Sequence, residues 1–149
     1  MASAFVMPAD QGRVLNQLGH TAREIVTSDQ AGGAYYVFEV TSPPGLGIPP
    51  HVHSREDEVI YVVVGELEVF LDGKVSRAGA GGTLNFVRGT AHGFRNTGSA
   101  PGRTVWFVTP GASFQTFFRK LAEVPPGPPD MAKIAALFAE FGMQVLAPG

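Results

Sequence analysis

The stretch GLGIPPHVHSREDEVIYVVVG, residues 45–65, decides the fold. Side chains alternate along a β-strand, so His51 and His53 point to the same face of one strand. Glu58 follows His53 by an odd number of residues, which on an uninterrupted strand would put it on the opposite face. The polar segment 54–57 is therefore predicted to be a turn or bulge, after which Glu58 faces inward at the start of a second, apolar strand.

A third histidine, His92, lies in a separate segment after the turn signal Arg88-Gly89-Thr90. Three imidazoles and one carboxylate on a β-rich scaffold form a ligand set for one divalent transition-metal ion per chain. The candidate ligands are His51, His53, Glu58 and His92. These donor types suit Fe, Mn, Co, Ni, Cu or Zn, and the identity of the metal stays open. The alternative is that the histidine pair lies on a surface strand by chance and that His92 is an ordinary core residue.

Short apolar segments separated by glycine and proline recur through most of the chain. Further strands are predicted at 23–26, 34–40, 66–71 and 103–108, and Asp72-Gly73 is a strong hairpin signal. Many short strands of this kind favour an all-β sandwich or barrel.

The C-terminal quarter predicts two helices instead of strands. The first has Ser113 as its N-cap and apolar side chains at helical spacing, at Phe114, Phe117, Phe118 and Leu121. A proline-rich linker, 125–129, precedes a second helix that Asp130 caps and Gly142 ends. We expect both helices to pack on the outside of the barrel. The alternatives are that they close the barrel mouth or contact a second subunit.

Composition bounds the class of protein. A chain of 149 residues with 44% hydrophobic content is expected to form one core. A net charge of −2 without a basic cluster gives no reason to expect nucleic-acid binding. The absence of cysteine excludes disulfides, thiolate ligands and a cysteine nucleophile. The N-terminal residues lack a signal-peptide pattern and no apolar stretch approaches the ~18 residues of a membrane span, so a cytoplasmic protein without membrane contact is expected.

The spacing of the first motif resembles that of a known superfamily. Gly45, five residues, His51-x-His53, four residues, Glu58, six residues and Gly65 match the first cupin motif at every fixed position. The resemblance implies a cupin-type double-stranded β-helix, which is a jelly-roll barrel, with short C-terminal helices.

A second motif follows at the separation that is normal for cupins. Gly81, five residues, Val87-Arg88-Gly89, two residues, His92, three residues and Asn96 resemble the second cupin motif, with Val87 where the family usually has proline. The resemblance implies a single cupin domain over 1–149. Its barrel core is expected at about 21–110 and a helical C-terminal extension at about 112–149.

The overall pattern resembles small bacterial cupins related to quercetinases. That resemblance implies a metal-dependent dioxygenase acting on a flavonol-like or other aromatic chelating substrate, with Glu58 as both ligand and catalytic base. It also implies a homodimer. The alternatives are a non-oxidative metal-dependent cupin enzyme, such as a lyase, isomerase or cyclase, and a cupin that only binds a small molecule.

Strand alternation gives candidates for the wall around such a substrate. With Glu58 facing inward, Ile60, Val62 and Val64 share its face, and Leu67, Val69 and Leu71 form the next inward set. The candidate substrate-binding residues are Phe38, Ile60, Val62, Phe86, Phe94 and Trp106. An apolar, aromatic cavity with one metal favours a flat aromatic substrate with a chelating oxygen. The alternative is that these side chains only fill the core.

Overall fold

The computed structural model describes residues 2–146 and contains eleven strands and two helices in this range. In chain order the strands are β1 (Val14–Gln17), β2 (His20–Val26), β3 (Tyr36–Ser42), β4 (Gly47–His53), β5 (Asp57–Val64), β6 (Leu67–Leu71), β7 (Lys74–Ala78), β8 (Thr83–Phe86), β9 (His92–Asn96), β10 (Gly102–Thr109) and β11 (Met143–Val145). The helices are α1 (Ala112–Leu121) and α2 (Met131–Glu140). None of the described helices is long and apolar enough to cross a membrane.

The strands form two antiparallel sheets that enclose one hydrophobic core. The first sheet has the order β1-β2-β3-β10-β5-β8 and the second the order β11-β4-β9-β6-β7. The chain crosses from one sheet to the other after β3, β4, β5, β7, β8 and β9, as it does in a jelly roll, and again after β10 through the two helices. The predicted fold class, an all-β jelly-roll barrel with short C-terminal helices, is confirmed.

Strand β5 builds the interior by alternation, as its sequence predicts. Its inward side chains are Glu58, Ile60 and Val62, and all three are buried. Val64 was expected to continue this face, but it is 46% exposed. The register between β5 and β10 shifts where Arg103 pairs with Val64 and Thr104 pairs with Val62. Such a bulge inserts one residue and turns the next side chain to the other face.

Strand β6 shows a similar deviation at its end. Leu67 and Val69 are buried as predicted, whereas Leu71 is 38% exposed. Leu71 is the last residue of β6 and directly precedes the Asp72-Gly73 turn, in which both residues have positive φ angles. The barrel does not cover a side chain at this hairpin end.

The barrel begins earlier than predicted. The strands start at Val14, before the expected position near 21, whereas β10 ends at Thr109, next to the expected end near 110. The extension after 112 is not wholly helical, because β11 pairs with β4 through Met143↔His53 and Val145↔His51. A strand of three residues is too short to produce a recognisable sequence pattern.

Both predicted helices are present. The apolar stripe of α1 is buried, at Phe114, Phe117, Phe118 and Leu121. Its N-cap is Gly111 and not Ser113 as predicted, since the helix already begins at Ala112. In α2 the side chain of Asp130 accepts hydrogen bonds from the backbone N–H groups of Ala132 and Lys133, so the predicted cap is found.

A buried ion cluster fixes α1 to the first sheet. Arg119 donates two hydrogen bonds to the carboxylate of Glu24, at 3.0 and 2.9 Å. The hydroxyl group of Tyr36 donates a third, at 2.5 Å. Burial, together with the neighbouring Glu24 carboxylate, raises the pKa of Tyr36 well above its ordinary value, so its hydroxyl remains a donor. The orientation of α1 over the barrel is therefore set by polar contacts as well as by its apolar face.

Candidate metal centre

Three strands from both sheets bring the four predicted ligands together. Strand β4 carries His51 and His53, β5 of the opposite sheet carries Glu58, and β9 carries His92. His51 and His92 are direct partners in the pairing of β4 with β9. All four side chains are buried, and none is more than 5% exposed. One nitrogen from each of the three imidazoles lies within 4.8 Å of the others.

The Nε2 atoms and the carboxylate converge at short distances. The Nε2 atoms of His51 and His53 are 3.0 Å apart. The Oε1 atom of Glu58 lies 3.2 Å from Nε2 of His53, and its Oε2 atom lies 3.1 Å from Nε2 of His92. Metal–nitrogen bonds of about 2.1 Å at right angles place adjacent donors about 3.0 Å apart. The spacing thus fits adjacent positions around one octahedral ion.

The hydrogen bond at Nδ1 shows which ring nitrogen carries a proton in His51 and in His92. Nδ1 of His51 donates to the carbonyl oxygen of Pro49 at 2.9 Å, and Nδ1 of His92 donates to the carbonyl oxygen of Thr90 at 3.0 Å. A carbonyl oxygen only accepts, so Nδ1 carries the proton in both rings. Nε2 is therefore the ring atom that both histidines leave for a metal ion. Nε2 of His51 faces Nε2 of His53, and Nε2 of His92 faces the carboxylate of Glu58.

Glu56 is a residue of the candidate centre that the sequence interpretation missed. It lies in the polar segment predicted as a turn, yet it is almost completely buried. Its Oε2 atom lies 3.3 Å from Nδ1 of His53, while its Oε1 atom has no donor among the described residues. A carboxylate behind a ligating histidine fixes the ring orientation and raises the basicity of the ligand. The Ser-Arg-Glu-Asp composition gives no signal for this burial.

The pKa shifts favour a ligand set that is ready to bind a cation. Burial, and then the neighbouring His53 and His92, lower the pKa of His51 to about 4. Burial alone would raise the pKa of Glu58, but the surrounding imidazoles, His53 above all, lower it to about 2. Burial would likewise lower the pKa of His53, but the carboxylates of Glu58 and Glu56 outweigh it and raise the pKa. A proton on His53 and a metal ion therefore compete to supply the same positive charge.

An apolar cavity of about 130 Å³ lies next to the ligand cluster and includes His51, His53 and Glu58 in its wall. The rest of the wall is mainly apolar and combines aliphatic side chains with six aromatic ones, Phe38, Trp106, Phe114, Phe117, Phe118 and Phe138. Phe38 stacks on Trp106 with ring centroids 5.5 Å apart. Two larger clefts, of about 470 and 330 Å³, contain none of the four predicted ligands. Three of the four predicted ligands thus face the small inner cavity.

Two of the six predicted substrate-binding residues line this cavity, namely Phe38 and Trp106. The other four, Ile60, Val62, Phe86 and Phe94, are buried in the core but do not line it. Phe86 instead stacks on the ring of His92, with centroids 4.1 Å apart, and so supports a predicted ligand. The cavity also includes Gln17 and His20, which the sequence interpretation did not select.

The C-terminal segment closes the cavity, contrary to the expectation that it packs on the outside. Helix α2 contributes Met131, Ile134 and Phe138 to the wall, and β11 contributes Met143 and Val145. The ring of Phe138 meets the ring of His51 edge-on at 6.1 Å. The apolar stripe of α2 packs into the barrel mouth because the two sheets leave this end of the core uncovered.

Comparison with known proteins identifies the family. The family model described as Cupin domain matches residues 38–108. The solved structure of KdgF from Halomonas sp. superposes with a TM-score of 0.66 at 20% identity, covering 74% of this chain and 96% of that one. Together with the fold, these similarities show that the chain belongs to the cupin superfamily.

Two curated relatives extend the comparison. The chain is 27% identical over 93 residues to the tetracenomycin polyketide synthase protein TcmJ of Streptomyces glaucescens, covering 62% of this chain and 62% of that protein. It is 25% identical over 122 residues to the quercetin 2,3-dioxygenase of Bacillus subtilis, covering 82% of this chain and 36% of that protein. The chain thus spans about three fifths of the first relative and about a third of the second.

Proposed function

We propose that His51, His53, Glu58 and His92 bind one divalent transition-metal ion, and that the chain is a metal-dependent dioxygenase. Its substrate would be a flavonol-like or other aromatic molecule that chelates the metal through a hydroxyl group. The observation that carries the proposal is the convergence of three imidazole nitrogens and a carboxylate beside an apolar, aromatic cavity. The relative named as a quercetin 2,3-dioxygenase supports the same class of substrate.

The bound ion supplies a Lewis acid with open coordination positions and, for a redox-active metal, reactivity towards dioxygen. The protein supplies orientation and a dry environment. Phe38 and Trp106, stacked at the wall, present flat surfaces against which an aromatic ring can pack. The cavity is smaller than the roughly 300 Å³ at the lower end for ligand pockets. A larger substrate therefore requires α2 to move away from the barrel mouth.

Glu58 is proposed as the catalytic base as well as a ligand. Its low pKa keeps the carboxylate ionised at neutral pH, which is the state that accepts a proton. Its two oxygens lie 3.2 Å from Nε2 of His53 and 3.1 Å from Nε2 of His92, so with a metal ion bound one oxygen would remain a ligand while the other takes the proton of a substrate hydroxyl.

A conservative substitution tests this base. Glu58→Gln keeps an oxygen donor but removes the proton acceptor, so we expect turnover to fall about 100-fold or more while metal content stays largely intact. The exposed Glu66→Gln, which makes the same chemical change on the surface, is the control. Unchanged turnover in Glu58→Gln would remove the base role but not the ligand role.

Oxygen consumption tests the reaction itself. Metal-free protein is loaded with Fe(II), Mn(II), Co(II) or Ni(II), and oxygen uptake is followed with a flavonol present. We expect uptake stoichiometric with flavonol loss for at least one metal and no uptake in His53→Ala. Absence of uptake with every metal, at confirmed metal occupancy, would reject the dioxygenase.

The second candidate is a non-oxidative enzyme, such as a cyclase, that uses the metal only to polarise a carbonyl group. It is favoured by the similarity to TcmJ, whose name places it with a polyketide synthase. The same site serves both reactions, because a polyketide also carries chelating oxygens. Substrate conversion by the Zn(II)-loaded protein without oxygen uptake would support this candidate. Tight stoichiometric binding without any product would instead support a protein that only binds small molecules.

We also propose that the chain forms a homodimer through the outer face of the first sheet. Four large apolar side chains are exposed there, on or next to neighbouring strands: Tyr35, Val59, Tyr61 and Phe107. Tyr35 and Phe107 stack with their centroids 5.3 Å apart. A contiguous apolar patch on a sheet is typical of an interface. We expect Tyr61→Lys to convert the dimer into a monomer in analytical ultracentrifugation; a wild-type monomer would reject the proposal.

A further inference from the structure

Gln17 is the last residue of β1. Of its two side-chain amide atoms, one makes a hydrogen bond and the other does not. The side chain is 5% exposed. Its Nε2 atom donates to the backbone carbonyl oxygen of Phe118 in α1, at 2.6 Å. Rotating the amide by half a turn would bring two oxygens together, so this contact fixes which atom is which. In this orientation no protein group among the described residues donates to Oε1.

Gln17 lines the same cavity as the proposed metal ligands, but at its other end. It pairs with His20 at the β1–β2 turn, and Nε2 of His20 lies 3.2 Å from the carbonyl oxygen of Gly47. Gly47 begins β4, four residues before His51. Gly47 pairs with Arg95 and His51 pairs with His92, three residues apart on β9, so at about 3.3 Å per residue the Gln17 end lies roughly 10 Å along the sheet from the metal end.

His20 does not offer a free hydrogen-bonding group at this end. Its Nε2 atom donates to the carbonyl oxygen of Gly47, so its Nδ1 atom accepts the hydroxyl group of Ser42 at 2.8 Å. Burial lowers the pKa of His20, which agrees with this neutral ring. Apart from the metal end, the polar side chains in the cavity wall are Gln17 and His20. The Oε1 atom of Gln17 is therefore the side-chain acceptor that is left for a ligand.

We propose that Gln17 is a specificity-determining residue, whose Oε1 atom accepts a hydrogen bond from a hydroxyl group at the end of the substrate opposite its chelating oxygen. A buried carbonyl without a donor is unfavourable, and buried polar groups in native proteins are nearly always paired. A substrate donor completes the pairing. The inference rests on the proposed function and adds a second polar contact to it: the metal holds one end of a flat aromatic molecule and Gln17 selects a hydroxyl group at the other.

Two flavonols that differ in one hydroxyl group test the inference. 3-Hydroxyflavone carries only the chelating hydroxyl, and 3,4′-dihydroxyflavone adds one at the far end of the molecule. Their dissociation constants are measured by fluorescence titration with the Zn(II)-loaded protein, which binds without oxidising. We expect the wild type to bind the dihydroxy compound about tenfold more tightly, a ratio typical of one hydrogen bond in a buried site. In Gln17→Met, which keeps the side-chain volume, the ratio falls to about one.

The remaining outcomes separate a role of Gln17 in ligand selection from a purely structural role. If Gln17 only anchors α1 through Phe118, the substitution weakens both ligands equally and leaves their ratio unchanged, which overturns the inference. Gln17→Leu gives a second variant if Gln17→Met folds poorly, and the exposed Gln11→Met is the matched control. If neither flavonol binds to the metal-loaded wild type, the proposed substrate class fails and the inference fails with it. If both bind with equal affinity, only the inference fails.

Discussion

Two buried clusters in this protein contain glutamates, and they are completed in different ways. In the cluster that anchors α1, Glu24 receives two hydrogen bonds from Arg119 and one from Tyr36. In the candidate metal centre, one oxygen of Glu56 and one of Glu58 lack a well-formed hydrogen bond among the described residues, and both carboxylates lie against imidazoles. The first cluster contains its own guanidinium cation, whereas the second is proposed to bind a metal cation.

The difference separates a structural cluster from a candidate binding site. Buried charges are tolerated when they are paired and hydrogen-bonded, and then they hold two elements in one orientation. Imidazoles and carboxylates that converge without such a cation are the groups that bind a metal ion. The two clusters are therefore expected to respond in opposite ways: the first to mutation through stability, and the second to metal and pH through binding.

The largest effect is expected in the structural cluster. Arg119→Met leaves the carboxylate of Glu24 buried without its cation, which we expect to lower the free energy of unfolding by about 3 kcal/mol or more. Urea unfolding of the metal-free protein measures the change. The control is Arg103→Met, which removes a half-exposed arginine 4.0 Å from Glu39 and should cost less than about 1 kcal/mol. Equal losses in the two variants would contradict the assignment of Arg119 as an anchor.

The sequence predicts the ligand cluster well because metal ligands require particular residue types at positions set by strand alternation. His51 and His53 share a face by the period of the strand, and the spacing of the second motif brings His92 to the register opposite His51. Alternation also predicts the buried Ile60 and Val62. It does not predict Val64, because a bulge depends on pairing with a distant strand that no local pattern reveals.

The contacts around the ligands could not be predicted for a related reason. Glu56 and Gln17 are polar residues in unremarkable sequence surroundings, and only the tertiary structure buries them. Strand β11 is too short to be recognised, yet it pairs with the strand that carries two candidate ligands. Helix α2 has a clear apolar stripe, but a stripe does not say which surface it will cover. Local sequence patterns therefore predict most strands and both helices, whereas long-range packing determines which surfaces these elements contact.

An intermediate effect is expected from Glu56. Glu56→Ala removes the acceptor behind His53, so this ring is no longer held with Nε2 towards the centre, and Zn(II) affinity should fall about 10- to 100-fold. Competition with a chromophoric chelator measures the affinity. Glu56→Gln keeps an acceptor and should recover most of the loss. Glu68→Ala, which removes an exposed carboxylate 3.7 Å from Arg95, is the control. A Zn(II) affinity that is unchanged in Glu56→Ala would show that His53 is oriented without this carboxylate.

The smallest effect, and the one that most sharply separates the two clusters, is the pH dependence of metal binding. The pKa of His53 is raised above its ordinary value in the metal-free fold, so below that pKa a metal ion must displace one proton to bind. Affinity should be constant at higher pH and fall about tenfold per unit as pH decreases through this range. His51, with a pKa of about 4, stays neutral and adds no second proton until the pH approaches that value.

Calorimetric titration with Zn(II) from about pH 8 to 5 in buffers of different ionisation enthalpy counts the released protons. We expect a count that rises from zero to one as the pH falls through the raised pKa of His53. A count of two near pH 6 would mean that His51 is also protonated there, against the burial that lowers its pKa. Arg119 and Tyr36 of the α1 anchor should not titrate over the same range, because both pKa values are raised still further from it. The number of protons released on metal binding therefore distinguishes the candidate metal centre from the cluster that anchors α1.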